Sequence, residues 1–356
     1  MTADQTTVGD GPSPVPDTVT WDLFLLAGQF PGTSHGEALR NAVDYGIAAE
    51  RAGFTGVWIA EHHFIPYGVC PSAISYSAFL LGRTNTLRVG TAACVLSNRH
   101  PVALAEEAVL LHEFSGGRFD LGVARGGPWV DLEVFGTGLD RFTNGFAESV
   151  DLLGRWLSGA ARVGADGERF RFRAVDVIPR PPRQLPVWIA ATSGETVDLA
   201  AAHGLPLLLG VHASSSEHRA LLDRYAHTAA RHGHNPSAAP HASVHLVHVA
   251  ATEERARRDL RAAMPEWIAT TDRYVRLAAS GPGRDPVAYV EHLLSLHPTG
   301  PATLCRQQLA QAAAVTGVRR QLLLVEATGC RRRTLDTIEA LGAVGPLPSL
   351  STAQLS

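Results

Sequence analysis

The sequence predicts an α/β protein folded as a (β/α)8 TIM barrel with insertions. The 356-residue chain alternates short apolar strands with helical patterns, which is typical of parallel βα units. Eight such strands are predicted, enough to close a barrel, and several run directly into polar residues, where barrels of this class carry their chemistry. We expect the strands near residues 21–27, 54–60, 87–95, 119–125, 186–191, 205–210, 244–250 and 321–327.

The first helix and the second strand show how each unit is delimited. Ser34 and Glu37 have the spacing of a capping box, and apolar residues then recur at helical spacing. Gly53 ends this helix and a strand follows over residues 55–60. The unit therefore predicts that the residues after Ala60 lie at the carboxyl end of a barrel strand.

Two segments depart from the alternating pattern. Residues 163–186 contain a Gly-rich turn followed by alternating Arg and Phe, which predicts a hairpin arm between the fourth helix and the fifth strand. Residues 269–303 are expected to be irregular because of their Gly-Pro clusters. Either a lid over the barrel mouth or an ordinary surface loop is consistent with these insertions. We expect one domain over residues 19–346, a flexible N-terminal tail over 1–18 and a C-terminal tail over 347–356.

Composition excludes several functions. With 45% hydrophobic and 18% charged residues and a formal net charge of −3, the chain offers no electrostatic case for binding nucleic acid or an anionic membrane. No apolar run is long enough to span a bilayer and no signal pattern opens the chain, so we expect a cytoplasmic protein. The sequence contains no lysine, which excludes a P-loop and Schiff-base catalysis.

No metal site is predicted. The four cysteines are scattered without paired spacing, which fits reduced thiols and not a disulfide framework or a zinc ribbon. Histidines crowd residues 227–248, but His245 and His248 lie three apart on one predicted strand and so point to opposite faces.

The most informative strand end is Glu61-His62-His63, a carboxylate followed by two imidazoles. Its position at a barrel strand tip favours a catalytic histidine, since imidazole is a general base near neutral pH. The alternative is that one or both histidines are satisfied core or surface groups. The strand pattern alone leaves both interpretations open.

Two further strand ends predict an anion site. Arg125 is followed by Gly126 and Gly127, so that the backbone can approach an anion while the guanidinium neutralises it; a salt-bridged arginine at the rim is the alternative. After the strand near 186–191, Ser193 can cap the next helix, with Thr196 one turn later. Hydroxyl and free N–H groups would then face one point, as at a phosphate site, and a plain helix cap is compatible with this.

These strand ends belong to segments that resemble the bacterial luciferase-like family of flavin-dependent monooxygenases. The resemblance is most continuous from residue 53 to residue 153, in family order and spacing, and resumes later in the chain. The segments are GFTGVWIAEHHF, LRVGTAACVLSNRHPVALAEE, SGGRFDLGVARGGPWVDLEVFG, LPVWIAATSGET, AAHGLPLLLG and TGVRRQLLLVEATG.

The resemblance implies a two-component monooxygenase that works as a homodimer. Reduced FMN would come from a separate flavin reductase, because no dinucleotide fingerprint is present. Dioxygen would then form a flavin 4a-hydroperoxide that oxygenates a small organic substrate. The family matches make His62 the base, poised near neutral pH, with His63 and Glu61 orienting it or the flavin. The arginine that matches Arg125 grips the flavin phosphate in the family.

The remaining cofactor contacts are also carried over from the family. Ala92 and Ala93 match a pair joined by a non-prolyl cis peptide that supports the isoalloxazine ring. Thr192, Ser193 and Thr196 match the phosphate loop, and Asn144 falls near the family's second phosphate arginine.

Three positions differ from luciferase itself. Ala124 stands where luciferase has a cysteine, Asn144 stands near a phosphate arginine with Arg141 as a replacement, and Thr192 stands where luciferase has a glutamate. Light emission and the aldehyde substrate are therefore not carried over. Two alternatives stay open: a deazaflavin-dependent oxidoreductase that transfers hydride, and a non-catalytic flavin-binding partner subunit.

Overall fold

The computed structural model describes residues 18–127, 129–181, 185–275 and 285–347. The strands are β1 (Thr20–Leu25), β2 (Gly56–Ile59), β3 (Arg88–Thr91), β4 (Cys94–Val95), β5 (Phe119–Ala124), β6 (Arg162–Asp166), β7 (Arg171–Asp176), β8 (Val187–Ala191), β9 (Leu207–Leu209), β10 (Ala242–Leu246), β11 (His248–Val249), β12 (Thr299–Gly300) and β13 (Arg320–Leu324). The α-helices are α1 (His35–Arg51), α2 (Ala73–Leu81), α3 (Pro101–Phe114), α4 (Trp129–Val134), α5 (Gly138–Asn144), α6 (Phe146–Leu157), α7 (Gly194–Ala202), α8 (Ser215–Arg231), α9 (Glu253–Val275), α10 (Pro286–Leu296), α11 (Ala302–Thr316) and α12 (Arg331–Val344). Two 3₁₀ turns span Leu96–Asn98 and Pro236–Ala238.

The central sheet closes into the predicted barrel. Its strands are parallel neighbours in the order β3, β2, β1, β13, β10, β9, β8, β5, and the added pairing of β3 with β5 closes the ring. The third predicted strand is interrupted, because β3 and β4 are separated by Ala92 and Ala93, whose peptide bond is cis. The (β/α)8 class is therefore confirmed, and all eight strands lie where the sequence predicts them.

The lower part of the barrel interior is filled by aromatic and charged side chains. Trp58 and Trp188 meet edge to face with ring centroids 5.3 Å apart, and the Arg320 guanidinium lies 5.8 Å and 5.6 Å from their ring centroids. Trp58 Nε1 donates to the buried Asp22 carboxylate at 2.8 Å. A barrel plugged at this level is a packed core, so a ligand has room only at the other end of the strands.

Local signals account for the helix starts around the barrel. Ser34 and Glu37 form the predicted reciprocal capping box at the start of α1, which satisfies two orphan N–H donors. Ser193 caps α7 by accepting from the Thr196 N–H at 3.4 Å. Both predicted helix caps are confirmed.

The two irregular segments have different outcomes. The hairpin arm is confirmed, because β6 and β7 pair antiparallel. Residues 276–284, which include the Gly281-Pro282-Gly283 cluster, lie outside the described residues. In the rest of 269–303 the expectation of irregular structure is wrong: α9 continues to Val275, and α10 occupies Pro286–Leu296. Asp285 caps α10 by accepting from Val287 N–H at 2.9 Å, and Pro286 occupies its first turn, which is a helix start signal.

The predicted tails fall almost wholly outside the described residues, which begin at residue 18 and end at residue 347. The extent of the single domain therefore stays a prediction. Within the described ranges, none of the helices is both long and apolar enough to cross a membrane.

Candidate active site

A cavity of about 780 Å³ opens at the carboxyl ends of the barrel strands. Six of the predicted site residues line it: His62, Ala92, Ala93, Arg125, Thr192 and Thr196. The fold brings them together because the tips of β2, β3, β5 and β8 meet at one edge of the barrel. The cavity is thus the place where the sequence predictions converge.

His62 is held on the cavity wall by the loop that follows β2. Its backbone N–H donates to the Cys70 carbonyl at 3.0 Å, and its ring meets Tyr67 edge to face at 5.4 Å. The loop passes so close that a Cβ on Gly68 would lie 2.5 Å from His62 Nδ1. Nδ1 is buried without a hydrogen-bond partner. The ring orientation is therefore set mainly by packing.

The expectation that His62 titrates near neutral pH is wrong. Burial, with a smaller contribution from the neighbouring His63, lowers the pKa of His62 to about 4. Desolvation disfavours the imidazolium form, and the nearby Glu61 carboxylate offsets this only in part. His62 is consequently a neutral imidazole throughout the physiological range, able to accept a proton but carrying no charge of its own.

Glu61 lines the cavity and joins three elements of the fold. Its buried carboxylate accepts from the backbone N–H groups of Val95 and Ala73, each at 3.1 Å. It also faces His63 Nε2 at 3.7 Å and the Arg99 guanidinium at 3.4 Å. Burial raises the pKa of Glu61, but these hydrogen bonds and the positive charge of Arg99 outweigh burial and leave the pKa lowered. Glu61 is therefore an ionised group that fixes the ends of β2 and β4.

His63 lies behind the wall and not on it. Its ring is buried, meets Phe135 edge to face at 4.9 Å and faces the Glu61 carboxylate. His63 is absent from the described residues that line the cavity. The geometry gives His63 a contact with Glu61 and none with a ligand in the cavity.

Asp131 is a cavity residue that the strand pattern of the sequence does not predict. It lies on α4, is only 2% exposed and lines the cavity. One carboxylate oxygen faces the Asn98 amide at 3.5 Å and the other has no partner. Burial raises the pKa of Asp131 to about 6, with His63 and Asn98 opposing the rise. The signal that identifies Asp131 is a buried carboxyl group on a cavity wall, and this is visible only in the folded structure.

Another part of the rim, at the ends of β5 and β8, forms what we call the anion seat, namely Arg125, Gly126, Gly127, Thr192 and Thr196. The Arg125 guanidinium lies over the Phe142 ring at 4.8 Å, and Gly126 has φ +92°, which a side chain rarely adopts. Ser193 lies behind the seat and shares a 3.1 Å hydrogen bond with the Thr196 hydroxyl. The free N–H groups at the start of α7 complete a donor set suited to a phosphate.

Asn144 is not brought to this cavity. It lies exposed at the end of α5 and donates to Asp140 at 2.8 Å. Arg141, its suggested replacement, donates to the Arg99 carbonyl and lies over the Phe170 ring at 5.2 Å. Neither residue is among the described residues of the cavity wall, so a phosphate contact from this segment finds no support in the geometry.

Helices far along the chain supply a second part of the cavity wall, which the strand pattern of the sequence does not predict. We call it the helical wall: Met264, Trp267, Ile268 and Thr271 of α9 with Tyr289 and Leu293 of α10. These residues follow no strand end, and α9 and α10 overlap the segment for which the sequence predicts irregular structure. No rule based on strand tips would have found them.

The crowded histidines take part in separate contacts. The predicted strand 244–250 divides into β10 and β11, with His245 bonded to the Ser243 hydroxyl at 2.9 Å and His248 facing Asp259 at 3.4 Å. Across the described ranges, no three His, Cys, Asp or Glu side chains come close enough to hold a metal ion.

The fold and cavity together define a TIM-barrel protein with a cavity of small-molecule size at the carboxyl ends of its strands. The chain matches the family model described as luciferase-like monooxygenase over residues 20–320. The alkanal monooxygenase alpha chain of the Kryptophanaron alfredi symbiont is 34% identical over 252 residues, covering 68% of this chain and 69% of that protein. The chain therefore belongs to the luciferase-like monooxygenase family and is an oxidoreductase.

Solved structures with lower identity support the same fold. Monooxygenase RslO1 from Streptomyces bottropensis has a TM-score of 0.79 at 21% identity, covering 91% of this chain and 98% of that one. The oxygenating constituent of 3,6-diketocamphane monooxygenase from Pseudomonas putida, in complex with FMN, has a TM-score of 0.73 at 17% identity, covering 93% and 100%. An F420-dependent secondary alcohol dehydrogenase has a TM-score of 0.70 at 17% identity, covering 91% and 99%.

Proposed function

We propose that the protein is the oxygenating component of a two-component, FMN-dependent monooxygenase. Reduced FMN from a separate flavin reductase would bind at the cavity and activate dioxygen through a flavin 4a-hydroperoxide. One oxygen atom would enter a small organic substrate and the other would leave as water. The observation that carries the proposal is the meeting of the anion seat and His62 in one cavity.

The residues present fit the phosphate of FMN. Arg125 provides a charged fork of donors, and Thr192 and Thr196 provide hydroxyl groups beside the start of α7. Gly127 has no atom within 4 Å of the position that a Cβ would take, so the backbone here borders open space. These groups would hold the phosphate on the rim.

The wall between the anion seat and His62 suits a flat ring system. Ala92, Ala93, Ala124, Ala190 and Ala191 all line the cavity. Because none of them projects beyond Cβ, a planar ring can lie against the backbone. The bound flavin would supply the two electrons that dioxygen activation requires.

Within this site the chain's own residues have distinct tasks. His62, neutral because its pKa is about 4, would accept a hydrogen bond or a proton from the reacting molecule. Glu61 positions the strand ends, and its contact with His63 fixes the wall behind His62. The apolar remainder of the cavity would exclude water from the reacting oxygen.

A separate reductase, a homodimer and a cytoplasmic location are parts of this proposal. The sequence has no dinucleotide fingerprint, so an external source of reduced FMN is required. All four cysteines are free, which fits a reducing compartment. Packed side by side, α2 and α3 expose Phe79, Leu110 and Phe114, an apolar surface that a second copy would cover.

Two other functions within the fold make different demands. The first is hydride transfer from a deazaflavin, which is suggested by the solved structure of an F420-dependent dehydrogenase with the same fold. A non-catalytic flavin-binding subunit would bind FMN without turnover. Both alternatives would use the same cavity, so the experiment must separate oxygen transfer from hydride transfer and from binding alone.

Rapid mixing tests the proposal against both alternatives. The protein alone should oxidise NADH negligibly, and activity should appear when a flavin reductase or photoreduced FMN is supplied. Mixing the reduced complex with dioxygen should give a transient flavin absorbance that lasts longer than in buffer, since the cavity excludes water. Binding of a deazaflavin only, or oxidation of reduced FMN at the rate seen in buffer, would refute the proposal.

The phosphate contact has its own test. Arg125→Ala should weaken FMN binding by about 1.5–3 kcal/mol because it removes a hydrogen bond to a charged group. Riboflavin, which lacks the phosphate, should lose much less. Ser193→Ala is the milder companion variant, since Ser193 supports the Thr196 hydroxyl and does not line the cavity. Equal losses for FMN and riboflavin would place the action of Arg125 elsewhere.

A further inference from the structure

The cavity has two unlike halves. Among the described residues that line it, the charged ones are Glu61, Arg125 and Asp131, and they lie in the strand-tip half, on the side of the strand ends, where Asp131 faces Asn98 after β4. The other half consists of the helical wall with the loop after β9 and the start of α8, and the described residues there include no Asp, Glu or Arg. At about 780 Å³, the cavity is near the upper part of the range of small-molecule sites, about 300–1,000 Å³, so a second ligand can lie beside a flavin ring.

An aromatic stack supports the uncharged half. The rings of Phe30 and Trp267 stack at 4.6 Å, and those of Trp267 and Tyr67 stack at 4.7 Å. Trp267 Nε1 also donates to the Tyr67 carbonyl at 3.0 Å, and Trp267 is 1% exposed. Gly28 makes room for this ring, since a Cβ there would lie 3.1 Å from it. The stack is therefore rigid, and it continues to His62 through the edge contact with Tyr67.

The polar groups of this half are hydrogen-bonded to one another or to backbone carbonyls. His212 Nδ1 and the Tyr289 hydroxyl are bonded to each other, and both residues line the cavity. His292 Nε2 donates to the His212 carbonyl at 3.2 Å, which holds the loop after β9 against α10. His218 bonds the Gly210 carbonyl at 2.9 Å, and burial lowers its pKa. These groups offer a hydroxyl and imidazole nitrogens to a ligand.

We propose that this half of the cavity binds the substrate to be oxygenated, and that the substrate is a neutral, planar aromatic molecule bearing a hydroxyl or carbonyl group. The inference rests on the proposed function, because it gives the strand-tip half to the flavin. Offset and edge contacts with a fixed aromatic wall favour a planar ring over an alkyl chain. A carboxylate would lose its hydration with no cation on the described part of this wall to replace it. The single polar group of the substrate would bond to the His212–Tyr289 pair.

Binding of three probes to the protein saturated with oxidised FMN tests this. The probes are 1-naphthol, decan-1-ol, which has the same number of carbon atoms and one hydroxyl, and 1-naphthoate, which adds a charge. Calorimetric titration should show 1-naphthol binding at least about tenfold more tightly than either other probe. Equal or tighter binding of decan-1-ol would overturn the aromatic assignment, and equal binding of 1-naphthoate would overturn the neutral one.

Two variants locate the probe. Tyr289→Phe should weaken 1-naphthol by about 2- to 12-fold, the value of one hydrogen bond, while naphthalene binding stays unchanged. Tyr67→Leu should weaken the binding of both 1-naphthol and naphthalene and leave the affinity for decan-1-ol unchanged. Unchanged 1-naphthol affinity in both variants, or competition between 1-naphthol and FMN, would place the probe elsewhere and overturn the inference.

The same titrations separate this inference from the proposed function. Failure of FMN to bind while the protein alone still prefers 1-naphthol would contradict the flavin assignment and leave the aromatic site standing. Normal FMN binding with no preference for 1-naphthol would contradict the aromatic site alone.

Discussion

At the level of single residues, His62 is the group on which the proposed chemistry depends. His62→Ala should lower turnover by about 10²-fold or more, the usual contribution of a positioned base. FMN affinity should stay within several-fold, because the anion seat is on another part of the wall. Turnover measured with a saturating supply of reduced FMN gives the answer. Wild-type turnover would remove His62 from the mechanism.

Gly68 tests whether packing sets the His62 ring. A Cβ at Gly68 would lie 2.5 Å from His62 Nδ1 and 2.6 Å from the Leu26 carbonyl oxygen, so Gly68→Ala must displace the ring or the backbone. We expect a loss of turnover that approaches that of His62→Ala, with folding judged by circular dichroism. Gly82→Ala is the matched control, since its Cβ would make ordinary contacts at 3.6 Å. Equal activities in the two variants would contradict the packing argument.

Glu326 provides a pH-dependent stability test. Burial raises the pKa of Glu326 to about 7, even though backbone N–H groups including Leu26 at 2.6 Å donate to its carboxylate. A raised pKa means that folding takes up a proton. The stabilising contribution is therefore complete below about pH 4.5, the ordinary pKa, and is lost as the pH rises towards 7.

Glu326→Gln isolates this contribution. The difference in free energy of unfolding, wild type minus variant, should fall between pH 4.5 and pH 7 by up to about 3 kcal/mol. Urea unfolding of both proteins at several pH values measures it, and the other titrating groups cancel in the difference. A difference that stays constant with pH would show that Glu326 has an ordinary pKa.

Individual residues also show which parts of the site can be predicted from the sequence. His62, Arg125 and Thr192 follow barrel strands directly, and the strand pattern therefore places them on one rim. Asp131 and Trp267 come from helices whose orientation depends on tertiary packing. The lowered pKa of His62 escapes prediction for the same reason, because burial by the Gly68 loop is not visible in the order of residues.

At the level of elements, close helix contacts require glycines that propensity alone would disfavour. Gly342 lies in α12, where a Cβ would approach the Ala52 carbonyl oxygen at the end of α1 closer than 3.0 Å. Gly342→Ala gains about 1 kcal/mol of helix propensity but must force the two helices apart, and overpacking typically costs about 1–3 kcal/mol. Since a backbone atom cannot move aside, we expect net destabilisation, measured by urea unfolding.

Gly154 is the matched control for that test. It lies in α6 with no atom within 4 Å of the position that an added Cβ would take, so Gly154→Ala should stabilise by about 0.5–1 kcal/mol. If Gly342→Ala destabilises the protein and Gly154→Ala stabilises it, the α1–α12 contact, and not helix propensity, determines the stability change at Gly342. The same sign for both would contradict it.

Elements can be predicted from the sequence where the signal is local. The barrel strands can be located because buried parallel strands are short apolar runs between helical patterns. The prediction for the described segment containing α10 is wrong because it overlooks a local start signal, namely the cap Asp285 followed by Pro286 in the first turn. The pairing of β3 with β5 closes the barrel. It can be predicted only from the rule that eight βα units form a closed barrel, and not from any single residue.

At the level of the whole molecule, the exposed apolar surface of α2 and α3 predicts a dimer. Phe114 is 79% exposed at the end of α3. Leu110, one turn earlier on α3, and Phe79 on the neighbouring α2 are also exposed. A stable interface needs about 1,000 Å² or more of buried surface, which two packed helices per subunit can provide.

A charge placed in this interface would be desolvated without a partner, so Phe114→Glu should shift the protein from dimer to monomer in sedimentation experiments. Val315→Glu, which replaces an exposed apolar residue on α11, should leave the dimer intact. A monomeric wild type, or dissociation by Val315→Glu instead of Phe114→Glu, would show that α2 and α3 do not form the interface.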